Sequence, residues 1–322
     1  MSDTPTAAVN DFNDLKDFHS NSVFNPFHSN RSDKYLGSVD PDSNFINLVS
    51  NVFTSCNYHY AHEFKKIYHN ADCTFSTLHW NVRSLFLHYD VISKYLASLS
   101  HQFSVLAFTE TWINDSTVGM SEIPNYNSHH LYRSHKIGGG TSLFIHNSLQ
   151  FSVREDLNSI FINTAIEANF VEVTNCTHFG DKNVIVGCIY RPPDPANMPT
   201  FIDLLSSTIT LINKENKPSF LLGDFNSDLL KYENQSLISD YLNLLYSSSF
   251  YPLIFKPTRV TASSATLIDN IFTNSLNSKT SSGILFTDIT DHYPIYHFSS
   301  ALKTERLKTN SDSKFRLFTK KK

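Results

Sequence analysis

Cysteine is scarce in this sequence of 322 residues. There are four, and no two form a Cys-x-x-Cys pair. The wide spacing of Cys56, Cys73, Cys176 and Cys188 excludes a disulfide scaffold and a zinc ribbon, and fits a reducing compartment. Glycine and proline are also sparse, at nine and twelve, which rules out fibrous and low-complexity classes. No run approaches the 18 or so apolar residues of a membrane span, so no membrane partner is expected. Residues 1–10 lack the apolar core of a secretory signal, so sequons such as Asn114-Asp115-Ser116 and Asn175-Cys176-Thr177 read as chance matches in an intracellular protein. Positive charge is missing as well: 26 Lys/Arg face 30 Asp/Glu, a net charge of −4. From Lys303 onward the chain carries a net +6, which leaves −10 on the first 302 residues. There is no broad basic face. A grip on any polyanion has to be local, from a few Arg/Lys, backbone amides and a bridging metal.

What the chain does have is apolar mass, with 40% hydrophobic residues and 26 Phe. That is enough for a sizeable core in one large or two ordinary domains. Residues 1–72, rich in Ser, Asn, Asp and His, read as a mostly disordered leader with a short helix around 44–53. Order is expected to begin near Cys73. Apolar runs predict strands over 74–80, 104–109, 141–146, 219–222, 266–273 and 294–298, and a strand pair over 161–174 and 182–190. Helical spacing marks 84–100, 198–213 and 237–248. Many strands interleaved with few helices predict two packed β-sheets flanked by helices, in one α/β or α+β domain over 73–300. Residues 301–322 read as a basic, solvated tail.

Polar signatures punctuate these strands. Asn81 stands in His79-Trp80-Asn81-Val82-Arg83-Ser84, Glu110 in Phe108-Thr109-Glu110-Thr111-Trp112, and Tyr190 in Tyr190-Arg191-Pro192-Pro193. Asp224 and Asn226 lie in Gly223-Asp224-Phe225-Asn226, Asp269 in Leu267-Ile268-Asp269-Asn270, and His292 follows Asp291. All but one directly follow strand-like sequence, which gathers carboxylates, amides and an imidazole on one rim of a sheet. Taken singly each has an ordinary explanation: a turn former at Asn81, a helix cap at Glu110, an Asx turn at Asp224, core packing at Tyr190. Together they suit metal-assisted cleavage of a phosphodiester, which needs charge neutralisation, an oriented nucleophile and help for the leaving oxygen. Hard oxygen ligands such as Glu110 favour Mg²⁺, with Mn²⁺ as the alternative. Asp224 can take a proton from the attacking water, with Asn226 orienting it. His292, held protonated by a carboxylate such as Asp269, can donate to a phosphate oxygen, as can Tyr190 and Asn81.

In their order these motifs resemble the endonuclease/exonuclease/phosphatase superfamily. Asn81-Val82-Arg83-Ser84-Leu85, Glu110-Thr111-Trp112, Gly138-Gly139-Gly140, Tyr190-Arg191-Pro192-Pro193, Gly223-Asp224-Phe225-Asn226, Thr266-Leu267-Ile268-Asp269 and Asp291-His292 are similar to the endonuclease domain of non-LTR (LINE-type) retrotransposons. The resemblance covers roughly residues 74–300. It implies an α+β, four-layer DNase I-like sandwich and Mg²⁺-dependent nicking of DNA, leaving a 3′-hydroxyl that primes reverse transcription. Implied partners are DNA and a reverse transcriptase domain or element RNA encoded elsewhere, with the nucleus as the site of action and the cytoplasm otherwise. Carried over, Glu110 is a metal ligand supported by Asn81, Asp291 assists the metal or the imidazole, Asp224 is the base or water-positioning acid, and Asp269 orients His292. Tyr190, Asn226, His292 and Thr258 meet the substrate phosphate. Thr290 stands where the family usually has Ser, and Arg83 where repair nucleases often carry an acid. Two other readings stay open: the same fold acting on an inositol phosphate or phospholipid head group, and an inactive relic that only binds.

Overall fold

The computed structural model describes residues 55–69, 73–133, 138–276 and 280–300. In chain order its strands are β1 (Asn57–His59), β2 (Cys73–Asn81), β3 (Val105–Thr109), β4 (Tyr126–Leu131), β5 (Thr141–His146), β6 (Gln150–Val153), β7 (Glu167–Thr174) and β8 (Val184–Tyr190). They continue with β9 (Ser219–Asp224), β10 (Tyr251–Pro252), β11 (Arg259–Thr261), β12 (Ser264–Thr266), β13 (Asp269–Thr273), β14 (Ser281–Leu285) and β15 (Ile295–Ser300). Between them run helices α1 (Ala61–His69), α2 (Leu85–Ser98), α3 (Glu155–Asn158), α4 (Met198–Glu215) and α5 (Ser236–Ser247).

Two mixed sheets form. One has the order β1-β14-β15-β2-β3-β5-β4, the other β10-β13-β9-β8-β7-β6. The pairs β1–β14, β2–β3 and β8–β9 are parallel. β3 and β8 are buried at every position, as expected of strands covered on both faces. The sheets pack against each other through Phe75, Val105, Ala107, Leu143 and Ile145 from the first and Val186, Cys188, Phe220 and Leu222 from the second. The other face of the first sheet packs on α1 and α2 through Leu78, Trp80, Phe64, Leu85 and Ile92. On the far side of the second sheet, α4 buries Phe201, Leu205, Ile209 and Ile212, one apolar stripe at helical spacing. Helix, sheet, sheet, helix gives the four layers, and the α+β class follows. No helix among the described residues is long and apolar enough to cross a membrane.

Three sequence expectations are revised. Residues 161–166 form no strand: Asn163 is left-handed at φ 61°, and the Thr164 hydroxyl donates to the carbonyls of Phe161 at 2.8 Å and Ile166 at 3.0 Å, so a local turn outcompetes the ladder. The strand expected over 266–273 is interrupted. Leu267 N–H donates to Asp228 Oδ1 at 3.1 Å, and the carbonyls of Leu267 and Ile268 accept from Leu229 and Phe225. Order also begins before Cys73, since β1 pairs with β14 and Phe64 of α1 is buried against Tyr296 and Phe298. A three-residue strand has too little periodicity to be read from sequence. The helix expected around 44–53 and the tail over 301–322 lie outside the described residues.

Candidate active site

Strand direction gathers the polar residues. β2 and β3 are parallel, as are β8 and β9. Asn81, Tyr190 and Asp224 are the last residues of β2, β8 and β9, and Glu110 follows β3. β13 runs antiparallel to β9 and starts where β9 ends, with Asp269 opposite Asp224. His292 lies just before β15, which is antiparallel to β2. The residues sit below the rim rather than on it: Asn81, Asp224, Asp269, Thr258 and His292 are buried, while Glu110 and Asn226 are half-buried.

Asn81 ties the two sheets together. Its amide donates to Asp224 Oδ2 at 2.8 Å and to Glu110 Oε1 at 3.1 Å. Burial and the charge of Asp269 push Asp224 up to about 7, against the opposing pull of His292 and Asn81. The Tyr190 hydroxyl is hydrogen-bonded to Glu110, and burial followed by the Glu110 and Asp224 charges raises its pKa, so it remains a proton donor. Asn226 N–H donates to Asp224 Oδ1 at 3.0 Å, and its side-chain amide to the Arg191 carbonyl at 2.8 Å. Backbone strain concentrates here: Arg83, Ser84, Glu110, Trp112 and Asn226 are all left-handed, with φ between 41° and 85°. Residues without glycine's freedom adopt that region at a cost of order 1–3 kcal/mol each, and such sites cluster where function fixes geometry.

The second half of the site is a charge pair. His292 Nδ1 contacts Asp269 Oδ2 at 2.9 Å and Oδ1 at 3.1 Å. Burial would lower the imidazole's pKa, but the charge and hydrogen bond of Asp269, then Asp224 and Asp291, raise it to about 9. Asp269 is held below its ordinary value despite burial, chiefly by the His292 charge. The Thr258 hydroxyl donates to Asp269 Oδ2 at 2.6 Å and accepts from the Asp269 N–H at 3.0 Å. Thr258, expected at the substrate phosphate, is thus buried and hydrogen-bonded to Asp269. The Thr290 hydroxyl donates to the carbonyls of Asn81 at 3.1 Å and His292 at 3.0 Å, so Thr bonds here as a Ser hydroxyl can.

Asp291, expected to assist the metal or the imidazole, is engaged by two arginines. Its Oδ2 accepts from Arg259 Nε at 2.8 Å and its Oδ1 from Arg83 Nη1 at 3.2 Å. Both oxygens face cations. Asp224, Asp269 and His292 offer one ligand atom each within 4.8 Å of one another. His292 Nδ1 and the Asp269 oxygens already hold each other, however, and a protonated imidazole has no lone pair for a cation. The oxygen set of Glu110 and Asp224 fits a hard divalent cation better. The upward push on Asp224 comes first from burial and then from the Asp269 charge, and a cation beside it would oppose both.

Residues outside the expected set also shape the site. Arg191 is 3% exposed and donates to the carbonyls of Phe225 at 2.7 Å, Asn226 at 2.5 Å, Asp194 at 3.0 Å and Pro192 at 3.1 Å, fixing the turn after Asp224. His79 lies 3.9 Å from Asp269 on the side away from solvent, and burial holds it down at about 4. Glu167 pairs with Tyr190 across β7–β8, accepts from Gly140 N–H at 2.5 Å and bridges to Arg133. Only strand register brings Glu167 here; the run of Gly138, Gly139 and Gly140 was its one sequence signal.

The family model described as "Endonuclease/Exonuclease/phosphatase family" matches residues 78–292. No curated protein matches the chain. Among solved structures, the catalytic domain of Xenopus laevis APE2 is similar at 18% identity and a TM-score of 0.53, covering 71% of this chain and 94% of that one. The AP endonuclease LMAP from Leishmania major is similar at 11% identity and a TM-score of 0.56, covering 71% and 88%. D. rerio TDP2 complexed with single strand DNA product is similar at 13% identity and a TM-score of 0.51, covering 70% and 99%. At such identities the likeness is one of fold.

Proposed function

The chain belongs to the endonuclease/exonuclease/phosphatase family, and from that premise we propose that it is a divalent-metal-dependent endonuclease that nicks DNA. That family comprises metal-dependent nucleases and phosphatases. The observation that carries the finer reading is the bridge from Asn81 to both Glu110 and Asp224, beside a buried Asp269–His292 pair. Glu110, with Asp224 and Asn81 beside it, would hold the cation, Mg²⁺ for preference. When bound, the cation supplies charge neutralisation to the phosphate and to its leaving oxygen. Asp224, aligned by Asn81 and by the Asn226 N–H, accepts the proton of the attacking water. His292, with Nδ1 engaged by Asp269, keeps Nε2–H for a phosphate oxygen, and the Tyr190 hydroxyl donates to the same group. The products are a 5′-phosphate and a 3′-hydroxyl. The resemblance of the site motifs to LINE-type endonucleases supports a role in priming reverse transcription, with the reverse transcriptase or element RNA as partner.

A supercoiled plasmid tests this. The protein with Mg²⁺ is expected to convert it to the nicked circle, and chelator to stop the conversion. Asp224→Asn and His292→Ala are each expected to slow it by about 10²–10⁴-fold, the range for a lost acid or base. Nicking that persists unchanged in both variants sinks the site assignment. Release of inorganic phosphate from an inositol phosphate, with plasmid intact, moves the reading to a phosphatase.

A further inference from the structure

Arg83 and Arg259 come from distant parts of the chain and meet on one carboxylate, Asp291. Arg83 follows Asn81 by two residues, in a left-handed turn whose N–H donates to Asn81 Oδ1 at 3.3 Å. Arg259 is fixed by a backbone bridge to His292 and lies near enough to feel the charges of Asp224 and Asp269. The backbones of both arginines are therefore tied to catalytic candidates, yet their side chains are 49% and 39% exposed.

Each guanidinium has five N–H donors. Asp291 engages Nη1 of Arg83 and Nε of Arg259. The outward donors stay available to a ligand in the planar fork that fits a phosphate. Asp291 offsets one of the two cations, so the three side chains together carry +1 in a chain whose first 302 residues sum to −10.

Resting on the endonuclease reading above, we propose that Arg83 and Arg259 form a second phosphate subsite, which grips the DNA phosphate neighbouring the one that is cleaved. Asp291 is the positioning residue that holds both forks open to it. The subsite makes the enzyme prefer a polynucleotide over a diester with a single phosphate.

The test compares plasmid nicking with hydrolysis of bis(p-nitrophenyl) phosphate, which has no neighbouring phosphate. Arg83→Ala, Arg259→Ala and the double variant are compared with Lys94→Ala, which loses the same charge from an exposed position on α2. Each arginine variant is expected to lose about 10–100-fold in kcat/KM on plasmid, mainly through KM. That loss should exceed the loss on the small diester at least tenfold. Binding to a 20-base-pair duplex across a KCl series, with chelator present, is expected to lose about one unit of salt slope per arginine. Lys94→Ala should match wild type in both assays. Equal losses on both substrates, or losses no larger than that of Lys94→Ala, overturn the subsite and leave the endonuclease reading in place. A wild type that cleaves neither substrate overturns both.

Discussion

Asp224 and His292 share one buried cluster but have opposite requirements for a proton. Asp224 has to be ionised to act as a base, and its surroundings push it up to about 7. His292 has to be protonated to donate to phosphate, and Asp269 helps raise it to about 9. Activity is therefore expected to rise as pH approaches 7 and to fall as pH passes 9, a bell between two limbs. A bound divalent cation draws the acid limb lower, so the alkaline limb is the cleaner readout. Asp269→Asn should move that limb toward the ordinary histidine range, in a pH profile of nicking. The same pair links pH to stability. A histidine raised from 6.5 stabilises the fold fully below 6.5, and that contribution is lost as pH rises through about 9. Asp224 acts in the same direction, because a raised carboxyl opposes folding once it ionises. The melting temperature should thus fall between pH 6.5 and 9.5, and fall less in Asp269→Asn.

At the scale of elements, the turn after β9 shows what the sequence could and could not reveal. Gly223-Asp224-Phe225-Asn226 was legible as a strand delivering an acid, and its spacing from the other motifs carried the family resemblance. Its support was not legible. A Cβ at Gly223 would sit 1.9 Å from the Ile189 carbonyl oxygen, a constraint set by the β8–β9 register. Arg191 caps the turn's carbonyls from a buried position, whereas a charged residue in sequence reads as exposed. Ion pairing was not legible either: Arg83 and Arg259, 176 residues apart in sequence, meet on Asp291. Gly223→Ala is expected to destabilise by about 1–3 kcal/mol, the usual cost of overpacking. It should also misplace Asp224, and urea titration beside the nicking assay reads both effects. Arg191→Met keeps the volume but strands the buried Phe225 carbonyl, at about 1–3 kcal/mol, and three part-buried carbonyls besides. Its midpoint should drop further than that of Gly223→Ala.

Across the whole molecule, the apolar strands and amphipathic helices made the layered body readable, because periodicity reports burial directly. Its N-terminal edge was not readable. The segment over 55–69 is polar by composition, and its value lies in long-range partners. β1 lies parallel to β14 in the register Asn57↔Gly283 to His59↔Leu285. The Tyr58 hydroxyl donates to the Pro257 carbonyl at 2.9 Å, and its ring stacks on Phe286 at 4.9 Å between centroids. Phe64 is fully buried among Phe103, Tyr296 and Phe298. Removing these contacts uncovers the outer edge of β14 and the apolar face over β15, a combination that invites edge-to-edge association. Phe64→Ala alone is expected to cost about 3–5 kcal/mol. A chain cut to begin at Cys73 should lose more than that, with a lower melting temperature and aggregation on warming. The comparison is a chain cut to begin at residue 50, which keeps 55–69. Equal melting of the two cut chains would place 55–69 outside the folded unit and restore Cys73 as its start.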